Sequence, residues 1–103
     1  MRTQPGDGRA RTAAYKLVFT DHYVRVASKF LRRHPDMVRA YEKTLELLAL
    51  NPQHPSLRLH ALTGRLLGVH SVSINLSYRI TLHLQITERE IVLINVGDHN
   101  EVY

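Results

Sequence analysis

The feature that most constrains the fold is a period-two alternation of apolar and polar residues in the C-terminal part of the chain. Successive side chains of a β-strand point to opposite faces of a sheet, so this alternation predicts strands with one buried and one polar face. Short polar joins divide the region into three strands, predicted at about Val69–Leu76, Tyr78–Ile86 and Glu90–Val96. We interpret them as an antiparallel meander.

The even-numbered and odd-numbered residues of the strands between Val69 and Ile86 form two sets (parities) with different chemistry. The apolar parity is expected in the core and comprises Val72, Ile74, Leu76, Tyr78, Ile80, Leu82, Leu84 and Ile86. The opposite parity is polar and comprises Ser71, Ser73, Asn75, Arg79, Thr81, His83 and Gln85. A solvated polar face is ordinary in antiparallel sheets, so parity alone leaves open whether this face is a site.

The first half of the chain predicts one strand followed by two helices. Tyr15–Phe19 has strand composition, and Thr20–Asp21 supplies an oxygen that can cap a helix. Apolar residues then recur at three- and four-residue spacing on both sides of His34–Pro35–Asp36, until Asn51–Pro52 ends the pattern. The predicted fold is α+β, a helical hairpin packed on a mainly antiparallel four-stranded sheet in the order β-α-α-β-β-β.

Domain organisation follows from length and composition. Residues 1–14 contain three arginines and no apolar periodicity, and we predict a flexible basic arm there. Residues 15–103 are predicted to form a single domain, because this length suits one core. The sequence has neither a signal-like nor a membrane-spanning apolar stretch, and it has no cysteine, so we expect a cytoplasmic protein without disulfides.

The charge of the chain favours an anionic partner. Lys and Arg total 14 against 9 Asp and Glu, and a net charge of +5 attracts RNA, DNA or an acidic protein, although it also serves solubility alone. Between Gln53 and Leu84 there is no acidic residue, which suits a phosphate ligand. The basic side chains of that stretch are Arg58, Arg65, Arg79, His54, His60, His70 and His83.

The segment Gly97–Tyr103 reads GDHNEVY and places two proton-transferring side chains in a glycine-started turn. RNA cleavage by attack of a 2′-hydroxyl on the adjacent phosphate needs a base, an acid and a cation for the developing charge. His99, Tyr103 and Arg79 are candidates for these roles.

Signatures of several other enzyme classes are missing. The sequence contains no serine-nucleophile motif, phosphate-binding glycine loop or HExxH pattern, and no two histidines stand at helical i, i+4 spacing. We therefore predict no metal site.

The order of these elements and motifs along the chain resembles that of the RelE/ParE toxin superfamily, and especially of its YafQ-like branch. The resemblance covers Tyr15–Tyr103 and rests on His60–Gly64 (H-x-L-x-G), the strand Tyr78–Ile80, and the ending Gly97–Tyr103 (G-D-H-x-x-V-Y). The sequence departs from the YafQ-like pattern at Ser73 and Ser77, where that pattern has a histidine and an aspartate.

The resemblance implies the toxin of a type II toxin-antitoxin system. Such a toxin is a metal-independent mRNA interferase without a cofactor, which enters the ribosomal A site and cuts the codon there. The implied catalytic residues are Arg79 on the phosphate, His99 and Tyr103 in proton transfer, and His60 as base or in orientation. Further RNA contacts are expected at Arg58, Arg65, His83 and Lys16.

The implied partners are the ribosome, mRNA and a cognate antitoxin, with no membrane. We expect the antitoxin to be short, with an acidic, amphipathic C-terminal segment that lies across the basic face. Two alternatives stay open: a ParE-like inhibitor of DNA gyrase without nuclease activity, and a nontoxic domain that binds nucleic acid or an acidic partner. His60, His99 and Tyr103 favour RNA cleavage over gyrase inhibition.

Overall fold

The computed structural model describes residues 14–103, whose strands form one mixed sheet. In chain order the elements are β1 Lys16–Phe19, α1 Asp21–Arg33, α2 Val38–Leu50, β2 His60–Ala61, β3 His70–Ser73, β4 Arg79–Gln85, β5 Glu90–Gly97 and α3 His99–Val102. Short 3-10 turns lie at Pro35–Met37, Pro55–Leu57 and Gly64–Leu66. The predicted basic arm, residues 1–14, lies outside the described residues except for Ala14.

The sheet has the strand order β1-β5-β4-β3-β2, in which β1 is parallel to β5 and every other pair is antiparallel. The predicted α+β class and the β3-β4-β5 meander are confirmed. The strand count was predicted wrongly, because β2 is a fifth strand. It has only two residues, which is too short to produce a periodic pattern in the sequence.

Local sequence explains where the helices begin and end. Thr20 caps α1 as predicted, since its Oγ1 accepts a hydrogen bond from the Tyr23 backbone N–H at 3.1 Å. The helix ends at Arg33, because Pro35 disfavours helical geometry in the preceding residue and then starts a 3-10 turn. At the end of α2, the N–H of Asn51 bonds to Leu47 before Pro52.

The core lies between the helices and one face of the sheet. The buried stripe of α1 packs against β5. The largest fully buried apolar side chains include Tyr23, Leu48, Leu57, Val72, Ile80, Leu82, Ile91 and Leu93. Two residues predicted for this face are not in the core: Leu76 is 85% exposed and Ile86 is 62% exposed. They follow the ends of β3 and β4, where strand alternation no longer sets the side-chain direction.

A β-bulge in β5 explains its irregular burial pattern. Thr81 pairs with Asn95 but Leu82 pairs with Leu93, so Ile94 is an extra residue opposite β4. Both Leu93 and Val96 are therefore buried in the core although they are three positions apart.

A buried tyrosine pair gives a test of the core. The hydroxyls of Tyr23 and Tyr41 lie 2.9 Å apart, and burial raises the pKa of both phenols, which keeps both protonated. Tyr23→Phe should lower the free energy of unfolding by about 1–2 kcal/mol in a denaturant titration, because the Tyr41 hydroxyl loses its buried partner. The Tyr23→Phe/Tyr41→Phe variant should cost less than the sum of the single changes. Strict additivity would contradict the coupling.

Candidate functional site

The strand register places the polar parity of β2, β3 and β4 on one face of the sheet. His60 pairs with Ser71, which in turn pairs with Thr81, and Ser73 pairs with Arg79. Residues that directly oppose each other in a sheet share a face. This face is therefore opposite to the one on which α1 packs.

Helix α3 brings the end of the described chain back over this face. The Asp98 side chain accepts a hydrogen bond from the Glu101 N–H at 2.9 Å, and the Glu101 carboxylate accepts one from the Asp98 N–H at 2.8 Å. This reciprocal pair is a capping box. The turn predicted for this segment is therefore wrong: His99–Val102 forms one turn of helix, and the Asp-x-x-Glu spacing could have indicated it.

Tyr103 connects α3 to the sheet. Its hydroxyl donates a hydrogen bond to Ser71 Oγ at 2.6 Å, and its ring contacts the His99 ring edge-on with centroids 4.4 Å apart. The Arg65 guanidinium donates to the main-chain oxygen of Tyr103. Ser71 itself is fully buried, so the tyrosine hydroxyl lies on the surface of the sheet rather than in solvent.

Arg79 supplies a positive charge on the same face of the sheet. One guanidinium nitrogen donates to Ser73 Oγ at 3.0 Å, and among residues 14–103 no carboxylate forms an ion pair with it. Arg79 and Arg58 both line a cleft of about 240 Å³, together with Ser56, Ser73, Ile74, Asn75 and Leu76. Two cations at one cleft match the geometry needed to hold a phosphate.

The hydrogen bond of His60 fixes its tautomer. Its Nδ1 lies 3.2 Å from the carbonyl oxygen of Arg58, which can only accept, so Nδ1 carries the proton. In the neutral ring the lone pair is then on Nε2. Arg58 adopts a left-handed backbone conformation with φ of 51°, which costs energy for a non-glycine residue and directs its carbonyl to His60.

We define the polar cluster as His60, Ser71, Ser73, Arg79, His99 and Tyr103. Four of these residues were predicted from the sequence as catalytic. Ser71 and Ser73 were not singled out as site residues, because serines on a polar strand face give no distinctive signal. Their role becomes visible only through the side chains that they contact.

The predicted RNA-binding residues are divided by the fold. Arg58 and Arg65 lie beside the polar cluster. His83 is further along β4, where its Nδ1 bonds to the Gly68 carbonyl at 3.2 Å. Lys16 is not brought to the cluster, because β1 and β2 are the opposite edge strands of the sheet.

Neither a metal centre nor a membrane helix is found in the described part of the chain. No group of three or more His, Asp or Glu side chains in residues 14–103 is arranged to hold a metal ion. The helices of the same range are too short or too polar to cross a bilayer.

Gly97 tests how α3 is positioned. A Cβ on this residue would lie 2.5 Å from Glu101 Oε1 and 2.9 Å from Glu101 Cβ. Gly97→Ala should therefore push Glu101 away, break the capping box and displace α3, at a cost of about 1 kcal/mol. The NMR amide shifts of His99–Val102 should change, while those of β1, at the edge of the sheet, should stay the same. Unchanged α3 shifts would contradict this close packing.

Comparison with solved structures identifies the class of fold that this arrangement defines: the chain has the fold of the RelE/ParE-type toxins. The E. coli DinJ-YafQ toxin-antitoxin complex matches with a TM-score of 0.71 and 16% identity, over 87% of this chain and 98% of the other. The YoeB/ParE toxin from Agrobacterium tumefaciens matches with a TM-score of 0.66 and 20% identity, over 82% and 98%. A metal-bound toxin from Helicobacter pylori matches with a TM-score of 0.70 and 17% identity, over 86% and 99%.

At these identities the likeness defines the fold, and the fold expected from the resemblance is confirmed. The sequence matches no protein-family model and no curated protein. Function therefore has to be argued from the polar cluster itself.

Proposed function

We propose that this protein is the toxin of a type II toxin-antitoxin system and cleaves mRNA on the ribosome. The observation that carries the proposal is that one face of the sheet holds the Arg79 guanidinium, His60 and the His99–Tyr103 pair, and that within residues 14–103 neither the guanidinium has an ion pair nor His60 Nε2 a hydrogen bond. A metal-independent ribonuclease needs a cation, a base and an acid in one place. The polar cluster supplies all three types of group.

The reaction that fits these groups is attack of the RNA 2′-hydroxyl on its own 3′-phosphate. The base removes the 2′-hydroxyl proton, the 2′-oxygen bonds to phosphorus, and the bond to the 5′-oxygen of the next nucleotide breaks. The acid gives that leaving oxygen a proton. The products are a 2′,3′-cyclic phosphate and a 5′-hydroxyl, so that atoms and charge balance without a metal or a redox partner.

The geometry favours particular roles. Arg79 holds the phosphate and stabilises the charge that develops on its oxygens. His60 is the general base, because its protonated Nδ1 is bonded to Arg58 and its Nε2 can accept the 2′-hydroxyl proton. His99 is the acid, and Tyr103 holds its ring by the edge-on contact while anchored to Ser71.

The departure from the YafQ-like pattern at Ser73 has a use in this chain. Ser73 Oγ accepts the hydrogen bond from Arg79 and so orients the guanidinium along the cleft. At Ser77 the backbone N–H bonds to Asn75 Oδ1, which shapes the turn between β3 and β4. In our proposal Ser73 positions the cation, and proton transfer rests on the two histidines.

The proposed partners are the ribosome, its bound mRNA and a cognate antitoxin, and the place of action is the cytoplasm, where they meet. A solved structure with the same fold is a complex of an E. coli toxin with its antitoxin, which supports such a partner here. Arg58 and Arg65 border the polar cluster and are proposed to contact RNA.

Primer extension on messages from cells that briefly express the protein tests the proposal. Cuts phased with codons are expected in translated regions, with 5′-hydroxyl ends, and purified ribosomes should be required to reproduce them in vitro. Intact messages together with DNA breaks would instead identify a gyrase inhibitor. Harmless overproduction with neither effect would leave only a binding domain, and either outcome would overturn the proposal.

A further inference from the structure

A second cavity adjoins the cleft that Arg58 and Arg79 line. It has a volume of about 180 Å³ and lies between α2, the 3-10 turn Pro55–Leu57 and the end of β3. Three residues line both cavities: Ser56, Ser73 and Ile74. The two cavities are therefore neighbours, and together they form one groove, which we call the β3-edge groove.

The groove lies at an edge of β3 that no strand covers in the described range 14–103. β2 pairs with β3 only at His70 and Ser71. Beyond Ser71 the neighbour of β3 on this side is the 3-10 turn Pro55–Leu57, and α2 contacts the same turn. The groove thus starts at Arg79 on the polar face of the sheet and ends at α2.

The charges along the groove all have one sign. Arg58 and Arg79 lie at one end, and Lys43 lies at the other. Lys43 is exposed, and it has no hydrogen bond or ion pair with any residue between 14 and 103. No Asp or Glu of that range lines either cavity. Cations spaced along a groove are suited to the backbone of a single-stranded nucleic acid.

The floor of the groove at the α2 end is apolar. It consists of Ala40, Leu47, Leu57 and Ile74. Leu57 is 1% exposed and belongs to the core, so the packing of the fold holds this floor in place. A nucleobase has an apolar face that can pack on such a surface, while its phosphate stays at the charged rim.

Continuity with the polar cluster favours RNA over an acidic peptide as the occupant. RNA that is held at Arg79 by the phosphate to be cut continues in both directions, so the neighbouring nucleotides lie directly beside the cleft. The cavity at α2 shares part of its lining with that cleft and offers both an apolar floor and a cation. A peptide has no comparable reason to occupy the two cavities together.

We propose that the cavity at α2 is a subsite for the nucleotide next to the cleaved phosphate. The base of this nucleotide packs on Leu47 and Leu57, and its outer phosphate is bound by Lys43. The inference rests on the proposed function, because RNA bound at Arg79 is what brings the nucleotide here. Lys43 is thus a substrate-binding residue that takes no part in proton transfer.

An NMR titration of the whole protein with a short RNA analogue tests the subsite. The probe is a trinucleotide of 2′-O-methyluridine, which has no 2′-hydroxyl and is not cut. It should shift the amides of Lys43, Thr44 and Ile74 together with that of Ser73. Shifts confined to the neighbourhood of Arg79, with none at Lys43 and Thr44, would overturn the subsite.

The role of the apolar floor is tested by removing either the base or the space for it. A trinucleotide with abasic sugars should bind more weakly than the uridine probe. Ala40→Leu fills the cavity and keeps the charge of Lys43, so it should weaken the uridine probe and leave the abasic one nearly unchanged. Equal affinity of the two probes for the unmodified protein would contradict a base-binding floor.

Lys43→Ala tests the phosphate contact, and Lys29→Ala is its matched control. Lys29 is also an exposed lysine, but it lies on α1 and lines neither part of the groove. Lys43→Ala should weaken the trinucleotide about three- to fivefold, Lys43→Arg should restore the affinity, and Lys29→Ala should change it little. Equal losses in the two alanine variants would indicate nonspecific attraction and overturn the assignment of Lys43.

Cleavage kinetics separate this inference from the proposed function. On ribosome-bound mRNA the effect of Lys43→Ala should fall mainly on KM, because the contact is the same before and during the reaction. An unchanged KM would overturn the subsite while leaving the nuclease intact. If the unmodified protein cuts no mRNA, the proposed function fails, and trinucleotide shifts at Lys43 would still support an RNA site.

A peptide of alternating glutamate and leucine provides the test against a protein occupant. It should compete weakly, if at all, with the trinucleotide. Shifts of the Lys43 and Thr44 amides by this peptide, with none by the trinucleotide, would make the groove a protein-binding surface and overturn the proposal.

Discussion

Replacing Arg79 with alanine is expected to lower the rate of cleavage of ribosome-bound mRNA about 10²–10³-fold, because the developing phosphate charge loses its cation. The rate would be measured as single-turnover cleavage on purified ribosomes programmed with a defined message. Arg79→Lys should recover only part of the rate, since an ammonium keeps the charge but lacks the forked donors that can hold a phosphate and Ser73 together.

Arg39 provides a matched control for this experiment. It is an exposed arginine on α2, outside the polar cluster, and Arg39→Ala should leave cleavage nearly unchanged. A melting curve of Arg79→Ala should stay close to that of the unmodified protein, because the side chain is only partly buried. Full cleavage by the Arg79→Ala variant would remove the phosphate-binding role and, with it, the proposed mechanism.

Replacing His60 with alanine is expected to reduce cleavage by about 10²–10⁴-fold, the range associated with loss of a general base. His60→Gln is a stricter test of the proposed role as a base. Its amide can still donate a hydrogen bond near Arg58 but cannot take a proton, so it should be as slow as alanine if Nε2 is the base. A glutamine variant that recovers the rate would instead make His60 a positioning residue.

His83 is the natural control for His60. It lies on the same face of the sheet and has the same type of hydrogen bond, from Nδ1 to a backbone carbonyl, but it is outside the polar cluster. His83→Ala should therefore weaken RNA binding modestly and leave the rate at saturating ribosomes nearly unchanged. Equal losses of cleavage rate in the two histidine variants would show that membership of the polar cluster does not determine which histidine acts as the base.

The layers of the fold could be predicted from the sequence because two periodic patterns of apolar residues encode them: the two-residue period of a strand and the 3.6-residue period of a helix. Alternation in β4 and the helical stripe of α1 both reflect burial, and burial dominates the stability of a chain of this size. Thr20 was correctly predicted as a cap because capping is a local interaction. The candidate residues Arg79, His60, His99 and Tyr103 came from their chemistry and from the family resemblance.

What the sequence could not provide depends on contacts between distant residues. The pairing of β2 with β3 involves only His60 and Ala61, which is too little for a periodic signal. The hydrogen bond from Tyr103 to Ser71 joins residues 32 positions apart, and only the folded register brings them together. Likewise, whether Leu76 and Ile86 are buried depends on where each strand stops pairing, and not on their parity.

The position of β5 in the sheet has a consequence for biosynthesis. This strand separates β1 from β4, so the earliest strand of the described chain has no hydrogen-bonding neighbour until residues near Glu90 have been made. Pairing over such a long separation is slow to form, because the intervening loop must close first. A nascent chain that has not yet emerged as far as β5 also lacks His99 and Tyr103, so it has neither the paired β1 strand nor the second half of the polar cluster.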